Sequence, residues 1–82
     1  MNAPRIRTDS NFTRLELNSL TLFYSYETII GFHTPETGMV ISENVWSQTT
    51  GKHLNRLGDK KDRIPYDEFQ EKLDQVLHVE TL

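Results

Sequence analysis

The sequence predicts an α+β domain: an antiparallel β-meander of three to four strands, a short helix, and a C-terminal helix packed on the sheet. Between Phe12 and Trp46 the segments are rich in β-branched and aromatic residues and alternate between polar and apolar, which is typical of strands. After Trp46 the spacing of apolar residues changes to about 3.6, which is typical of helices. A length of 82 residues allows one hydrophobic core.

The chain divides into an N-terminal arm and a single α+β domain. Residues 1–11 are polar apart from Ile6, so we predict a flexible arm whose two arginines, Arg5 and Arg7, are available to a partner. Residues 12–82 form the domain.

Three strand candidates come before the first proline of the domain. They are residues 14–17, 20–24 and 28–33. Asn18-Ser19 suits a two-residue hairpin turn, because asparagine tolerates the left-handed backbone conformation. The break at Tyr26-Glu27 is weakly marked, so the second and third candidates are either separate strands or one bent strand.

The segment from Thr34 to Gly38 predicts a β-hairpin. Pro35 presets φ at the first corner of the turn, and Gly38 supplies the positive φ that closes a short hairpin. A fourth strand then runs from Met39 to about Val45.

Two helices follow. Ser47 is placed to cap the first, Leu54 and Leu57 lie one turn apart on it, and Gly58 is a candidate for a left-handed residue at its end. Gly51 predicts that this helix is short.

The second helix opens at Pro65, which we place at its first position, with Asp67 and Glu68 complementing the helix dipole. Its apolar stripe consists of Tyr66, Phe69, Leu73, Val76 and Leu77. We expect the helix to pack on the sheet through the last four of these residues.

The densest polar run lies at the start of the first helix and is our candidate binding surface. Its members are Ser47, Thr49, Thr50, Lys52, His53 and Asn55. Hydroxyl groups and a lysine at a helix start can hold a phosphate or carboxylate group on free backbone N–H groups. The glycine spacing of a P-loop is missing. Ordinary helix capping is the alternative interpretation of the same residues.

Phe23 and Ile29 are our candidate interface residues. They fall on the opposite parity from their apolar strand neighbours, so the sheet is apolar on both faces and its second face needs a cover. The N-terminal arm or the second subunit of a homodimer would provide it.

Several functions are disfavoured. The chain has no cysteine, and its three histidines lack the spacing of a zinc site, so we expect no metal and no other cofactor. A triad of Ser47, His53 and Glu43 or Asp59 has no support beyond proximity, so we expect no enzyme. The net charge of −3 argues against a nucleic-acid partner, although it leaves one open. We expect no membrane span and a cytoplasmic location.

Four segments carry a resemblance to a known group of proteins. They are FYSYET from Phe23, FHTPETG from Phe32, ENVWS from Glu43 and TTGKHLN from Thr49. The chain resembles a family of short uncharacterised phage and microbial proteins with the pattern SYxT…TPETG…ENxWSxTTGKHLN. That resemblance implies a small, phage-encoded intracellular module and transfers no functional residue.

Two functions are therefore expected from the sequence. The first is a non-enzymatic protein-binding or regulatory module, such as a phage accessory protein that acts on a host protein. The alternative is a nucleic-acid, nucleotide or anion binder that uses the candidate binding surface.

Overall fold

The computed structural model shows an α+β domain built on one mixed sheet. It describes residues 4–81, with side chains for residues 4–78. The elements are β1 (Arg5–Asp9), β2 (Phe12–Glu16), β3 (Thr21–Ser25), β4 (Thr28–Thr34), β5 (Gly38–Ser42), α1 (Gln48–Asn55), a 3-10 turn (Lys60–Asp62), β6 (Arg63–Ile64) and α2 (Tyr66–Thr81). The strands lie in chain order from β1 to β6, and all neighbours are antiparallel except β5 and β6, which are parallel.

The sheet has six strands in the described part of the chain, whereas we predicted three or four. Residues 5–9, expected in a flexible arm, form β1 and pair with β2 from Arg5↔Glu16 to Asp9↔Phe12. The turn between them places Ser10 and Asn11 at φ of 51° and 66°. Every residue of β1 is exposed, so backbone pairing rather than an apolar pattern defines this strand.

The turn at Asn18-Ser19 joins β2 to β3 as predicted, but by a different backbone conformation. Leu17 N–H donates to the Leu20 carbonyl at 2.8 Å, which closes the hairpin. Asn18 does not adopt a positive φ, which among described non-glycine residues is confined to Ser10, Asn11 and Tyr26.

β3 and β4 are separate strands, because the chain reverses at Tyr26 with φ of 57°. The pairing shifts by one residue, from Tyr24↔Ile29 to Phe23↔Gly31, so that Ile30 is an extra residue on β4. This bulge explains the odd parity of Ile29.

The predicted hairpin between β4 and β5 is confirmed. Thr34 pairs with Gly38, which has φ of 68°, and the Thr34 hydroxyl accepts the Thr37 backbone N–H at 3.0 Å. The strand that follows is shorter than predicted, since it ends at Ser42 and leaves Val45 51% exposed.

Helices cover both faces of the sheet. The buried core on the α2 side consists of Leu20, Leu22, Phe32, Phe69 and Leu73. The buried core on the α1 side consists of Phe23, Ile30, Ile41 and Leu54.

Because each face of the sheet is covered by a helix, the two candidate interface residues, Phe23 and Ile29, are already packed within the domain. Phe23 is only 7% exposed beneath α1, and Ile29 packs against the core on the α2 side. Neither residue needs a second subunit or the N-terminal arm to cover it, and their role at an interface stays a prediction.

The end of α1 differs from expectation in one detail. Gly58 lacks the predicted left-handed conformation, since Gly38 is the described glycine with positive φ. Gly58 lies close to β5, because a Cβ atom there would be 2.8 Å from Ile41 Cδ1, and a larger residue would require that side chain to shift.

The start of α2 is set by neighbours on both sides. The helix begins at Tyr66, one residue after the predicted start at Pro65, whose carbonyl accepts Phe69 N–H at 2.9 Å. Before it, β6 lies beside β5, and Glu43 N–H donates to the Ile64 carbonyl at 2.8 Å. Two residues of strand leave no periodic pattern, so β6 was not predicted.

Candidate functional site

Helix α1 divides the candidate binding surface between two faces. Thr50 and His53 lie one turn apart, face the sheet and are buried, at 5% and 4% exposure. The other four members, which are exposed to solvent, are Ser47, Thr49, Lys52 and Asn55. The six residues therefore do not form one surface.

The buried pair belongs to a hydrogen-bond network that the sequence did not predict. The Ser25 hydroxyl on β3 lies 2.6 Å from His53 Nδ1 and 3.0 Å from the Thr50 hydroxyl. His53 Nε2 lies 3.1 Å from the backbone carbonyl of Ser10. A carbonyl only accepts, so Nε2 donates to Ser10, and in the neutral imidazole Nδ1 then accepts the proton of Ser25.

This network joins the turn between β1 and β2, and the end of β3, to α1. The His53 ring lies 5.5 Å from the Phe12 ring and 6.1 Å from the Tyr26 ring, centroid to centroid. Ser25 is 2% exposed, so a substrate has no path to its hydroxyl in this arrangement. The distance between the Ser25 hydroxyl and His53 is that of a nucleophile and its general base, but both residues are buried in the core.

The triad weighed from the sequence does not form. The Ser47 hydroxyl caps α1 by accepting Thr50 N–H at 3.2 Å, and it donates to the Thr50 hydroxyl at 3.3 Å. His53 is bonded to Ser25 and Ser10 instead.

On its outer face, α1 borders an open cleft of about 770 Å³. The opposite wall is formed by the 3-10 turn and β6, and the lining residues are Glu43, Asn44, Gln48, Gly51, Lys52, Asn55, Lys60, Arg63, Ile64 and Pro65. We call this the α1–β6 cleft. A volume of this size lies in the range of small-molecule binding sites, roughly 300–1,000 Å³.

The α1–β6 cleft carries more positive than negative charge. The side-chain ammonium groups of Lys52 and Lys60 have no hydrogen-bond or ion-pair partner among the residues that the structure describes. The third cation, Arg63, donates from Nη2 to Asn55 Oδ1 at 2.6 Å. The carboxylate of Glu43 accepts the backbone N–H of Tyr66 at 2.8 Å, where it caps α2.

One nitrogen of Arg63 is unsatisfied. Its Nε is buried and has no partner within residues 4–78. An unpaired buried donor costs about 1–3 kcal/mol, and more when it is charged. A guanidinium group that turned toward an oxyanion in the cleft would recover that loss.

Asn44 shapes the rim of the cleft where the chain passes from β5 to α1. Its Nδ2 donates to the Ser47 carbonyl at 2.9 Å, and its Oδ1 accepts Trp46 N–H at 3.0 Å. A Cβ atom on Gly51 would lie 3.0 Å from Asn44 Nδ2, so glycine lets the helix pack against this side chain.

Lys52 and Asn55 are the two members of the predicted surface that line the cleft, and Thr49 does not line it. Lys60 and Arg63 also line the cleft but were not among the predicted site residues. Their charge was visible, but the pairing of β6 with β5 that brings them opposite α1 was not.

The described residues contain no group of three histidine, aspartate or glutamate side chains that could hold a metal ion. Neither described helix has the length and apolar character needed to cross a membrane.

The architecture places this protein in the class of small α+β domains. Its described residues form a mostly antiparallel six-stranded sheet with one helix on each face. The chain belongs to a family of unknown function, DUF8033, whose family model matches residues 2–71. The matched range includes the whole sheet, α1 and the α1–β6 cleft. No curated protein matches the chain. No solved structure matches it.

Proposed function

We propose that this protein is a non-enzymatic binding module whose α1–β6 cleft holds the phosphate group of a nucleotide-sized ligand. The observation that carries the proposal is the convergence of Lys52, Lys60 and Arg63 on one cleft, with a single carboxylate beside them. That carboxylate, Glu43, is engaged at the start of α2.

The charge of the whole chain makes this local excess informative. The protein carries a net charge of −3, yet two lysines in the cleft lack ion-pair partners in the described part of the chain. Phosphate oxygens are strong acceptors that pair with lysine and arginine. The side-chain amides of Gln48 and Asn55 would add neutral hydrogen bonds to the same ligand.

The size of the cleft favours a nucleotide over a bare ion, and the net charge favours it over a long nucleic acid. Counterion release along a nucleic acid needs an extended basic surface. The cleft supplies three cations in one place, which suits one or two phosphate groups.

The non-enzymatic part of the proposal rests on burial. The Ser25–His53 pair has the distance expected of a nucleophile and its base, but both residues are nearly inaccessible to solvent. The accessible cleft contains no histidine, serine or cysteine side chain in its lining.

Isothermal titration calorimetry at low salt tests the proposal, with inorganic phosphate, a nucleoside diphosphate and a single-stranded oligonucleotide as three separate titrants. Lys60→Gln should weaken diphosphate binding by about three- to tenfold, because it removes one charge-assisted contact. Lys61→Gln is the matched control, since Lys61 neighbours Lys60 in the same 3-10 turn and does not line the cleft.

The three titrants give different outcomes. Tighter binding of the diphosphate than of phosphate, weakened by Lys60→Gln alone, supports a nucleotide ligand. If the oligonucleotide binds more tightly than the diphosphate, and its affinity rises as the salt concentration is lowered, the ligand would be a nucleic acid and not a nucleotide. No binding of any titrant, or equal losses in both variants, would contradict the cleft as a phosphate site.

We also propose that the protein is phage-encoded, acts in the cytoplasm of the host cell and binds a protein there, either a host protein or a second copy of itself. The resemblance to the SYxT…TPETG…ENxWSxTTGKHLN pattern and the absence of cysteine support this. Light scattering over a range of concentrations tests the homodimer. Capture from host lysate, followed by reconstitution with the purified candidate, tests the host partner.

A further inference from the structure

The outer edge of β1 is an open sheet edge at the opposite end of the sheet from β6. β1 pairs with β2 on one side, and no described residue pairs with its other side. All five of its residues are exposed, and Ile6 is 68% exposed. An edge of this kind is a template for strand addition.

The register of the first hairpin shows which backbone groups are free. Asp9↔Phe12 closes a two-residue turn, and such a closing pair exchanges both of its hydrogen bonds. Pairs then alternate along an antiparallel ladder, so the N–H and C=O groups of Ile6 and Thr8 point away from β2. They are available to an added strand.

The two faces of this edge differ in chemistry. Toward the α1 side, Arg7 lies directly opposite Arg14, with Arg5 next to them on the same face. Arg14 contacts the Glu16 carboxylate at 2.8 Å, and among described residues Arg5 and Arg7 have no ion-pair partner. Like charges directly opposite each other destabilise a strand pair, so an added carboxylate would relieve this one.

Toward the α2 side, the same edge borders an apolar groove of about 350 Å³. Its lining consists of Ile6, Thr13, Leu15, Tyr24, Tyr26 and Glu27. Ile6 pairs with Leu15, which places an exposed apolar side chain next to a half-buried one.

We infer that β1 accepts an extended segment of a partner protein in which acidic and apolar side chains alternate. The carboxylates of such a segment face Arg5, Arg7 and Arg14, its apolar side chains enter the groove beside Ile6, and its backbone bonds to Ile6 and Thr8. A period of two in the partner matches the period of two in β1. The inference rests on the proposed protein partner and is independent of the α1–β6 cleft.

A second copy of this chain fits the edge less well. Each β1 carries two arginines and one aspartate, so two copies would bring one positive strip against another. Asp9 is also engaged with Arg56 at 3.4 Å.

The test uses the full chain and a synthetic peptide that alternates glutamate and valine. Lysine–valine alternation provides the charge-reversed control peptide, and a peptide with the same glutamates and valines in blocks provides the patterning control. Binding is followed by NMR chemical-shift changes. The expected result is that the glutamate–valine peptide alone shifts the signals of β1 and β2 and slows amide exchange at Ile6 and Thr8.

Two pairs of variants separate backbone pairing from charge. Thr8→Pro removes an outward N–H group without removing a bond to β2, and should abolish binding, whereas Thr8→Val keeps the N–H group and should retain binding. Arg7→Gln should weaken binding about two- to fivefold, whereas Lys61→Gln, at an exposed cation away from β1, should not.

Several outcomes would overturn the inference. They are shifts confined to the α1–β6 cleft, no shifts at all, equal binding of the charge-reversed peptide, or undiminished binding by Arg7→Gln. Dimerisation of the free protein that Thr8→Pro abolishes would make a second copy the occupant. Because the phosphate titrations use other residues and another probe, the two proposals can fail separately.

Discussion

Ser25 Oγ lies 2.6 Å from His53 Nδ1, and this contact joins β3 to α1 across 28 positions of the chain. Both residues are nearly inaccessible to solvent, and the other ring nitrogen of His53 reaches the carbonyl of Ser10. The imidazole of His53, on α1, therefore forms hydrogen bonds both to β3 and to the turn between β1 and β2. The contact stabilises the layer that carries Lys52 and Asn55 on its outer side.

Removing the Ser25 hydroxyl should destabilise the fold. Ser25→Ala leaves His53 Nδ1 buried without a donor, so we expect a loss of about 1–3 kcal/mol in the free energy of unfolding, measured with urea. Ser42→Ala is the control, because the Ser42 hydroxyl is equally buried but bonds only to the next carbonyl in the chain. Equal losses in the two variants would contradict a special role for the Ser25–His53 contact.

Gly31 should not accept a side chain. A Cβ atom there would lie 2.7 Å from Leu57 Cδ1 and 3.3 Å from the Val40 carbonyl, so Gly31→Ala should cost about 1–3 kcal/mol in a urea titration. Leu57→Ala removes the closer atom, and in that background the added cost of Gly31→Ala should fall. An unchanged cost would show that the Leu57 contact is not its source.

The carboxylate of Glu43 should stabilise α2 from outside the helix. Glu43→Gln replaces a charged acceptor at Tyr66 N–H by a neutral one, and we expect a lower melting temperature, equivalent to about 0.5–1 kcal/mol. The same change at Glu36, an exposed residue of the turn between β4 and β5, is the control and should leave the melting temperature nearly unchanged. The difference should shrink as salt is added.

Asn11 and Asn18 offer a matched test of the two turns. Asn11 has φ of 66°, so Asn11→Ala should cost about 1 kcal/mol whereas Asn11→Gly should be close to neutral. Asn18 has no positive φ, so Asn18→Ala should cost less than Asn11→Ala. Calorimetric unfolding of the three variants gives the comparison, and the reverse order would contradict the assigned turn conformations.

The parts of the fold that were predicted from the sequence are those determined by residues close to one another in the chain. Pro35 and Gly38 determine the hairpin between β4 and β5 within five residues, and the stripe from Phe69 to Leu77 determines α2 within three turns. In the same way, Ser47 caps α1 through its own neighbours.

The parts that were missed depend on partners far along the chain. β1 has an exposed, polar sequence and is a strand because β2 pairs with it. Ser25 carries no sign of its contact with His53, since the two meet only when α1 packs on the sheet. The burial of Thr50 and His53 was missed for the same reason, because it depends on which side of α1 faces the sheet.

The parallel pairing of β5 and β6 has a consequence for the stage of folding at which the α1–β6 cleft is assembled. The first five strands pair with their immediate neighbours in sequence, which favours early and rapid formation. The pairing of Ile41 with Arg63 instead requires the chain to close a loop that contains all of α1. Lys60 and Arg63 reach their places opposite Lys52 only after that closure. The proposed phosphate binding would then report completed folding, because a partially folded chain with an intact meander lacks the assembled α1–β6 cleft.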